Sequence, residues 1–173
     1  MKLIITIVLI GCILGCQNVQ TRNKGEHPKI LEASLSGATS IEKSQISTFM
    51  TFQDNNAEEA MNFYVSLFDN SEVLEIQKHE KGGPAPEGSI LFARFTLNGH
   101  QYMCSDSYIK HEWSFSPGIS NFVSCKDETQ LQSLYNALSK DGNVFMPPGN
   151  YGFSQKFSWV EDRFGISWQL NLD

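Results

Sequence analysis

The chain has 173 residues, a length typical of one domain with appendages. Hydrophobic residues make up 40% of it and charged residues 18%, as in an ordinary soluble domain. The formal net charge is −6 and the 13 Lys and Arg residues are scattered, so the sequence argues against a nucleic-acid partner, which needs clustered basic residues.

Residues 1–16 resemble a bacterial lipoprotein signal. Lys2 leads into an apolar run that ends at Cys16, and polar residues follow. The run is short for a membrane-spanning helix, which needs about 20 apolar residues, but it fits the apolar region of a secretory signal. The resemblance implies lipidation of Cys16 and cleavage before it. Cys12 is a second candidate for the lipidated residue, although it leaves a shorter apolar region. The alternative to a lipoprotein signal is an uncleaved N-terminal anchor or a misassigned start of the protein.

Residues 17–45 are predicted to form a flexible polar tether. The segment is aperiodic, and its apolar residues Ile30, Leu31 and Leu35 are isolated. A flexible chain of this length reaches about 30 Å, enough to hold a small domain away from a membrane. Together with the signal, this predicts a lipid-anchored protein of the bacterial cell envelope that faces outside the cytoplasm.

Residues 46–173 are predicted to form the domain, whose first half has the order strand, helix and three strands. Strands are expected where β-branched and aromatic residues concentrate, and the helix where apolar residues recur at helical spacing. In chain order these elements are a strand over 46–53, a helix over 57–68, and strands over 71–79, 90–97 and 101–106. Asn56 and Glu59 have the spacing of a capping box, and Asn98-Gly99 is a hairpin turn signal.

The second half repeats this order. A strand over 119–125 precedes a helix over 127–140, for which Gly142 is the expected C-terminal cap. A short strand over 143–146, a loop from Pro147 and two closing strands around a turn at 161–165 complete it. The sequence therefore predicts an α+β fold of two βαβββ modules, which form a curved mixed sheet around a shared cavity.

A family resemblance rests on the segments 56–68, 95–99, 103–106, 156–160 and 164–172. With the double βαβββ order, they resemble the vicinal oxygen chelate superfamily of glyoxalases and bleomycin resistance proteins. Within it, the chain resembles the PhnB-like group, which carries the label 3-demethylubiquinone-9 3-methyltransferase. The resemblance covers about residues 46–172 and implies that homodimers are common. It does not imply one function, because a single fold hosts many chemistries.

The resemblance also implies where a metal would sit. Metal-using members carry Glu at the position of Gln169, and a neutral amide is a weaker ligand than a carboxylate. The four histidines are His27, His79, His100 and His111. No two of them have the spacing of metal ligands. No cofactor is therefore predicted. The alternative is a divalent-metal-dependent lyase, isomerase or transferase, in which Asp106 and Gln169 bind the metal.

Methyl transfer, which the group's label suggests, is not predicted. A nucleotide-type cofactor is expected at a Gly-rich turn between a strand and a helix, and the chain has no such turn. Cys104 and Cys125 lie in or at the end of predicted strands, where inert packing is the expected role of a thiol. The sequence therefore assigns no catalytic residue.

Two neighbouring strand faces predict a small-molecule site. Ser167 and Gln169 share one face of the last strand, and Phe157 and Trp159 share one face of the strand before it. Apolar walls with a few polar groups are typical of small-molecule sites. In the alternative interpretation, these aromatic residues are ordinary core residues.

Three further residues are expected at this site. Asp106 would be a polar anchor with Gln169, and the loop over 108–118, which holds Trp113 and Phe115, would be a lid. We therefore expect a membrane-tethered protein of glyoxalase-like fold that binds a small molecule without a standard metal site. A structural or interaction module is a further alternative, and the sequence leaves open whether any reaction is catalysed.

Overall fold

A computed structural model describes residues 46–173. The predicted signal with Cys16, the predicted tether and His27 lie outside the described residues. Ser44–Asp173 forms one compact unit. Within the described part of the chain, no helix is long and apolar enough to cross a membrane.

The first module consists of one helix and a four-stranded mixed sheet. Its elements are β1 (Thr48–Phe52), α1 (Ala57–Leu67), β2 (Glu72–Lys78), β3 (Ile90–Leu97) and β4 (His100–Asp106). The strand order is β1-β4-β3-β2, and β1 is parallel to β4 while the other neighbours are antiparallel. Asn98 and Gly99 both have positive φ, as the predicted two-residue hairpin requires.

The second module repeats this arrangement. Its elements are β5 (Ser120–Ser124), α2 (Glu128–Leu138), β6 (Asn143–Gly149), β7 (Lys156–Glu161) and β8 (Ser167–Leu172). The strand order β5-β8-β7-β6 matches that of the first sheet position by position, with β5 parallel to β8. The predicted α+β fold with two βαβββ modules is therefore confirmed.

The core lies on the helix side of both sheets. In β3, Ala93, Phe95 and Leu97 are buried at alternate positions, which is the period of a strand with one covered face. In α1, Ala57, Ala60, Met61 and Tyr64 are buried at helical spacing. The opposite face of each sheet, here called the open face, carries residues such as Phe49 and Gln169.

The start of α1 differs from its prediction. The helix begins at Ala57 as expected, but the Asn56 side chain makes no cap hydrogen bond. Asp106 takes this role, because its Oδ1 accepts from the Ala57 backbone N–H at 3.0 Å. Asn56 is the N-cap residue, as predicted, but the capping box predicted from Asn56 and Glu59 was wrong. In α2, Asp127 is an ordinary N-cap, and it accepts from the Gln130 backbone N–H at 2.7 Å.

Two predictions near the end of α2 were also wrong. β6 continues through Pro147 and Pro148, where a loop was expected; the strand lies at the sheet edge, where a missing N–H breaks no ladder. Gly142 is not the helix cap, since the cap residue is Ser139. Gly142 instead allows a close approach, because a Cβ there would lie 2.1 Å from the Glu161 carbonyl oxygen.

The two modules pack on each other through aromatic rings. Trp168 of β8 is buried against α1 of the first module, with ring centroids 5.2 Å from Tyr64 and 5.7 Å from Phe68. Arg163 stacks over Phe63 at 4.2 Å. The helix of one module therefore covers part of the sheet of the other, and a single core cluster spans both modules.

Candidate functional site

A cavity of about 360 Å³ lies where β1 of the first module approaches β5 and the start of β8 of the second. We call it the central pocket. Its lining residues are all uncharged, and they divide into hydroxyl or amide side chains and apolar ones. They are Thr48, Phe49, Met50, Ser114, Phe115, Ser116, Ile119, Ser120, Asn121, Ile166 and Ser167. Apolar walls with a few polar groups suit a small organic ligand.

A pair of hydroxyls forms the polar centre of this pocket. Because β5 and β8 are parallel and in register, Ser120 lies directly beside Ser167, and their Oγ atoms are 2.7 Å apart. Trp159 Nε1 donates to Ser167 Oγ at 2.9 Å, and Gln169 Nε2 donates to Ser120 Oγ at 3.2 Å. The Ser167–Ser120 pair is thus fixed from both sides.

The proton count leaves one or two hydrogen-bonding positions on the hydroxyl pair for a ligand. If Ser120 donates to Ser167, the Ser167 hydrogen is free to donate, and Ser120, which then accepts only from Gln169, keeps one lone pair. If Ser167 donates to Ser120, then Ser167 keeps an unused lone pair, and Ser120 can donate to the Pro117 carbonyl at 3.4 Å. In either case the Ser167 hydroxyl has a free position, as a donor in the first arrangement and as an acceptor in the second, and the pocket offers no charged group.

The residues around Gln169 do not fit a divalent metal ion. Its neighbours Ser120 and Ser167 are neutral hydroxyls, and the Trp159 N–H points into the same group. Hard and borderline divalent cations prefer carboxylate and imidazole ligands. Among residues 46–173, no three His, Cys, Asp or Glu side chains are placed to hold a metal ion.

The loop over 107–119 separates the central pocket from a second cleft. Phe115 lines both, and its ring packs on Phe52 at 5.2 Å. Gln53 fixes the loop through two hydrogen bonds. It accepts from the His111 backbone N–H at 2.7 Å and donates to the Trp113 carbonyl at 2.6 Å. In this structure the loop is therefore held in place by Gln53 and forms a wall between the two cavities.

The structure brings together some of the residues predicted for the site and separates others. Ser167 and Phe115 line the central pocket, while Gln169 and Trp159 contact its hydroxyl pair. Trp113 instead lines the second cleft, where it stacks on His111 at 4.4 Å.

Phe157 and Asp106 have other surroundings. Phe157 shares the open face with Trp159 but is packed by Tyr151 and Phe153. Asp106 is buried, and both of its oxygens are engaged by backbone N–H groups: Oδ1 by Ala57, as described above, and Oδ2 by Ile90 at 2.8 Å. These contacts hold α1 against β3 and β4.

Asp162 is a second buried carboxylate, which the sequence did not single out. Its Oδ1 accepts from the Phe164 and Ile166 backbone N–H groups, and its Oδ2 accepts from Trp168 Nε1 at 2.8 Å. Burial raises the pKa of Asp162, against the lowering effect of these hydrogen bonds. The sequence signal for the backbone contacts of Asp162 was an Asp in a tight turn before Gly165. Its contact with the Trp168 indole, six residues away, depends on the geometry of the β7–β8 hairpin and has no local sequence signal.

The two cysteines of the described chain are buried and free. Burial raises the pKa of Cys104 to about 12, and the nearby charge of Asp106 contributes in the same direction. Burial also raises the pKa of Cys125. Both thiols are therefore protonated at neutral pH, and a protonated thiol is a poor nucleophile.

Sequence comparison gives a family match. The profile of the 3-demethylubiquinone-9 3-methyltransferase family matches residues 44–171. None of the curated proteins matches the chain. Among solved structures, a PhnB protein from Bacillus cereus, named for the same methyltransferase, is 46% identical, with a TM-score of 0.73. The match covers 75% of this chain and 100% of that solved chain.

Two further solved structures extend the comparison. A protein from Pseudomonas aeruginosa is 25% identical, with a TM-score of 0.65, over 75% of this chain and 98% of that chain. A glyoxalase/bleomycin resistance protein/dioxygenase domain from Frankia sp. EAN1pec is 18% identical, with a TM-score of 0.51, over 75% and 97%. At that identity the likeness concerns the fold alone.

Proposed function

We propose that this chain, which belongs to the 3-demethylubiquinone-9 3-methyltransferase family and has a glyoxalase-like fold, is a membrane-tethered protein that binds an uncharged small molecule. The observation that carries the proposal is the central pocket, whose lining is uncharged and whose polar centre is the Ser120–Ser167 pair. A buried formal charge without a partner is costly, so this lining disfavours ionised ligands.

The expected ligand has an apolar body and one or two neutral hydrogen-bonding groups. The walls formed by Phe49, Phe115 and Ile166 suit the apolar body, and Ser167 suits a hydroxyl, carbonyl or amide. Pockets that bind organic ligands generally range from 300 to 1,000 Å³, roughly, so a cavity of about 360 Å³ suits a compact molecule.

The test is a thermal-shift screen of matched compound pairs, each an uncharged amide or alcohol and its carboxylate analogue, on residues 44–173. We expect the uncharged members to raise Tm and the carboxylates to have little effect. Ser167→Ala should weaken the shift, whereas Ser124→Ala, on an exposed position of β5, should leave it unchanged. A consistent preference for the carboxylates would overturn the proposal, as would methyl transfer from a bound nucleotide-type donor.

Membrane tethering is a separate part of the proposal. It is supported by the sequence Met1-Lys2, the apolar run and Cys16. The polar segment that follows is long enough to hold the domain away from the membrane surface. Intact-mass analysis of the protein from a bacterial membrane fraction should show a diacylglyceryl thioether on Cys16 and no residues before it. Cys16→Ser should abolish the modification, while Cys12→Ser should retain it. Retention of an unmodified Met1 in the membrane protein would contradict tethering by lipidation.

A further inference from the structure

The β6–β7 hairpin carries few charged residues. Residues 142–160 contain no Asp or Glu, although the whole chain contains 19 of them, and Lys156 is their one charged residue. Lys156 is paired with Glu128 of α2. Glu161, the last residue of β7, is the one carboxylate of the hairpin, and it accepts from Asn143 Nδ2 at 2.7 Å. The hairpin therefore presents few charges on an acidic protein.

Aromatic rings cover the open face of this hairpin. Phe145 packs on Trp159 with ring centroids 4.9 Å apart, and Phe153 packs on Phe157 at 5.0 Å. Tyr151 stacks with Phe153 at 6.3 Å. Because Phe157 and Trp159 are two residues apart in β7 and share a face, all five rings form one surface, here called the aromatic patch.

The outer rings of the aromatic patch are exposed and held in place. Phe153 is 63% exposed, Phe145 41% and Tyr151 40%. The Tyr151 hydroxyl donates to the Pro147 carbonyl at 2.8 Å, and this bond fixes the position of the Tyr151 ring in the loop between β6 and β7. These rings therefore reach solvent from a preorganised position, and little side-chain freedom is lost when another surface covers them.

Strand addition is an unsuitable way to cover this part of the molecule. β6 is the edge strand, but Pro147 and Pro148 have no backbone N–H to pair with an incoming strand. A partner would therefore contact this surface through its side chains.

Aromatic rings with a polar end, such as Tyr and Trp, are favoured at the boundary between lipid headgroups and acyl chains. Because the hairpin holds a single carboxylate, Glu161, the aromatic patch experiences little repulsion from an anionic membrane.

We propose that the aromatic patch lies against a phospholipid bilayer, with Phe145, Tyr151 and Phe153 entering the headgroup boundary. This extends the proposed tethering but does not require it, because the patch belongs to the folded domain. Three rings give a weak, reversible contact on their own. A tether that reaches about 30 Å would keep the domain near the membrane and raise the effective concentration of the patch there.

The experiment is flotation of residues 44–173 with phosphatidylcholine vesicles. These residues form one compact unit, and the solved chain from Bacillus cereus matches this domain over its whole length, so the fragment is expected to fold. Tyr151→Ser with Phe153→Ser should lower the bound fraction by about fivefold, since two exposed rings are removed. The matched control is Leu74→Ser with Leu91→Ser, two residues of the first sheet that are 45% and 49% exposed. It should change binding little.

Three results would overturn the proposal. The first is that the unsubstituted domain does not float with the vesicles at millimolar lipid. The second is that both double variants lose binding equally. The third is that size-exclusion chromatography shows a dimer that only the patch variant dissociates, with unchanged flotation; the patch would then be an interface between two copies. The unlipidated fragment has an intact central pocket, so failure here leaves the ligand and lipidation tests unaffected.

Discussion

Burial determines the reactivity of the two cysteine thiols in this domain. Cys104 is fully buried beside a carboxylate, and its raised pKa of about 12 keeps the thiol protonated. We expect iodoacetamide at pH 8 to leave Cys104 and Cys125 unmodified in the folded domain, and to modify both in denaturant. Intact-mass spectrometry measures the adducts. Rapid modification of Cys104 in the native protein would indicate an accessible thiolate and would contradict the packing role.

Asp162 gives the stability of the domain a pH dependence of defined sign. Its pKa is raised above the ordinary 3.8 in the folded state, so the folded protein binds this proton more tightly than the unfolded chain. Stability linked to Asp162 is therefore fully present below pH 3.8 and declines as the pH rises through the folded-state pKa.

The test for Asp162 compares the wild-type domain with Asp162→Asn by urea unfolding from pH 3 to pH 8. The free energy of unfolding of the wild type, minus that of the variant, should fall as the pH rises and become constant at higher pH. The loss of the bond from Trp168 Nε1 adds a constant offset. A difference that grows with pH would mean that the folded state lowers this pKa.

At the scale of elements, one carboxylate replaces a local helix cap. Asp106→Asn keeps one acceptor but turns an amide N–H₂ toward a backbone donor, and leaving such a buried group unpaired costs about 1–3 kcal/mol. Asn56→Ala is the matched comparison, because this side chain makes no cap bond. Chemical denaturation should show the larger loss for Asp106→Asn. Equal losses would show that the Asp106 contacts contribute little.

Gly142 is required by the approach of α2's C-terminal turn to β7. An added Cβ would lie 2.1 Å from the Glu161 carbonyl oxygen, so the backbone must move. Gly142→Ala should therefore lower stability by about 1–3 kcal/mol, as overpacking does. Gly149→Ala is the control, since its nearest neighbour is the Tyr151 ring at 3.5 Å. Thermal unfolding of the two variants checks this, and similar Tm values would contradict it.

The sequence predicts elements better than contacts in this protein. Helical spacing and β-branched runs placed both helices and the strands, because these signals are local. Asp106 was not recognised as the cap of α1, since it lies 49 residues from Ala57. The pairing of Ser120 with Ser167 also depends on the register of two parallel strands that are 47 residues apart. Such contacts follow from tertiary geometry, which periodicity alone does not specify.

At the scale of the whole molecule, the modules share one core and leave a neutral pocket at their junction. Trp168 joins the second sheet to α1, and the parallel strands β5 and β8 align the hydroxyl pair. The domain that positions the pocket is the same unit that the Bacillus cereus relative contains in full. The pocket is therefore a property of the folded domain, and the proposed tether determines only where the domain works.

Native mass spectrometry of the protein isolated gently from its own cells shows whether the central pocket holds a ligand. We predict that the domain retains one uncharged organic molecule. Ser167→Ala should reduce its occupancy, while Ser124→Ala, a serine at the exposed end of β5, should retain it. A retained ionised ligand, a stoichiometric divalent metal, or equal occupancy in both variants would contradict the assignment of the central pocket as a site for an uncharged small molecule.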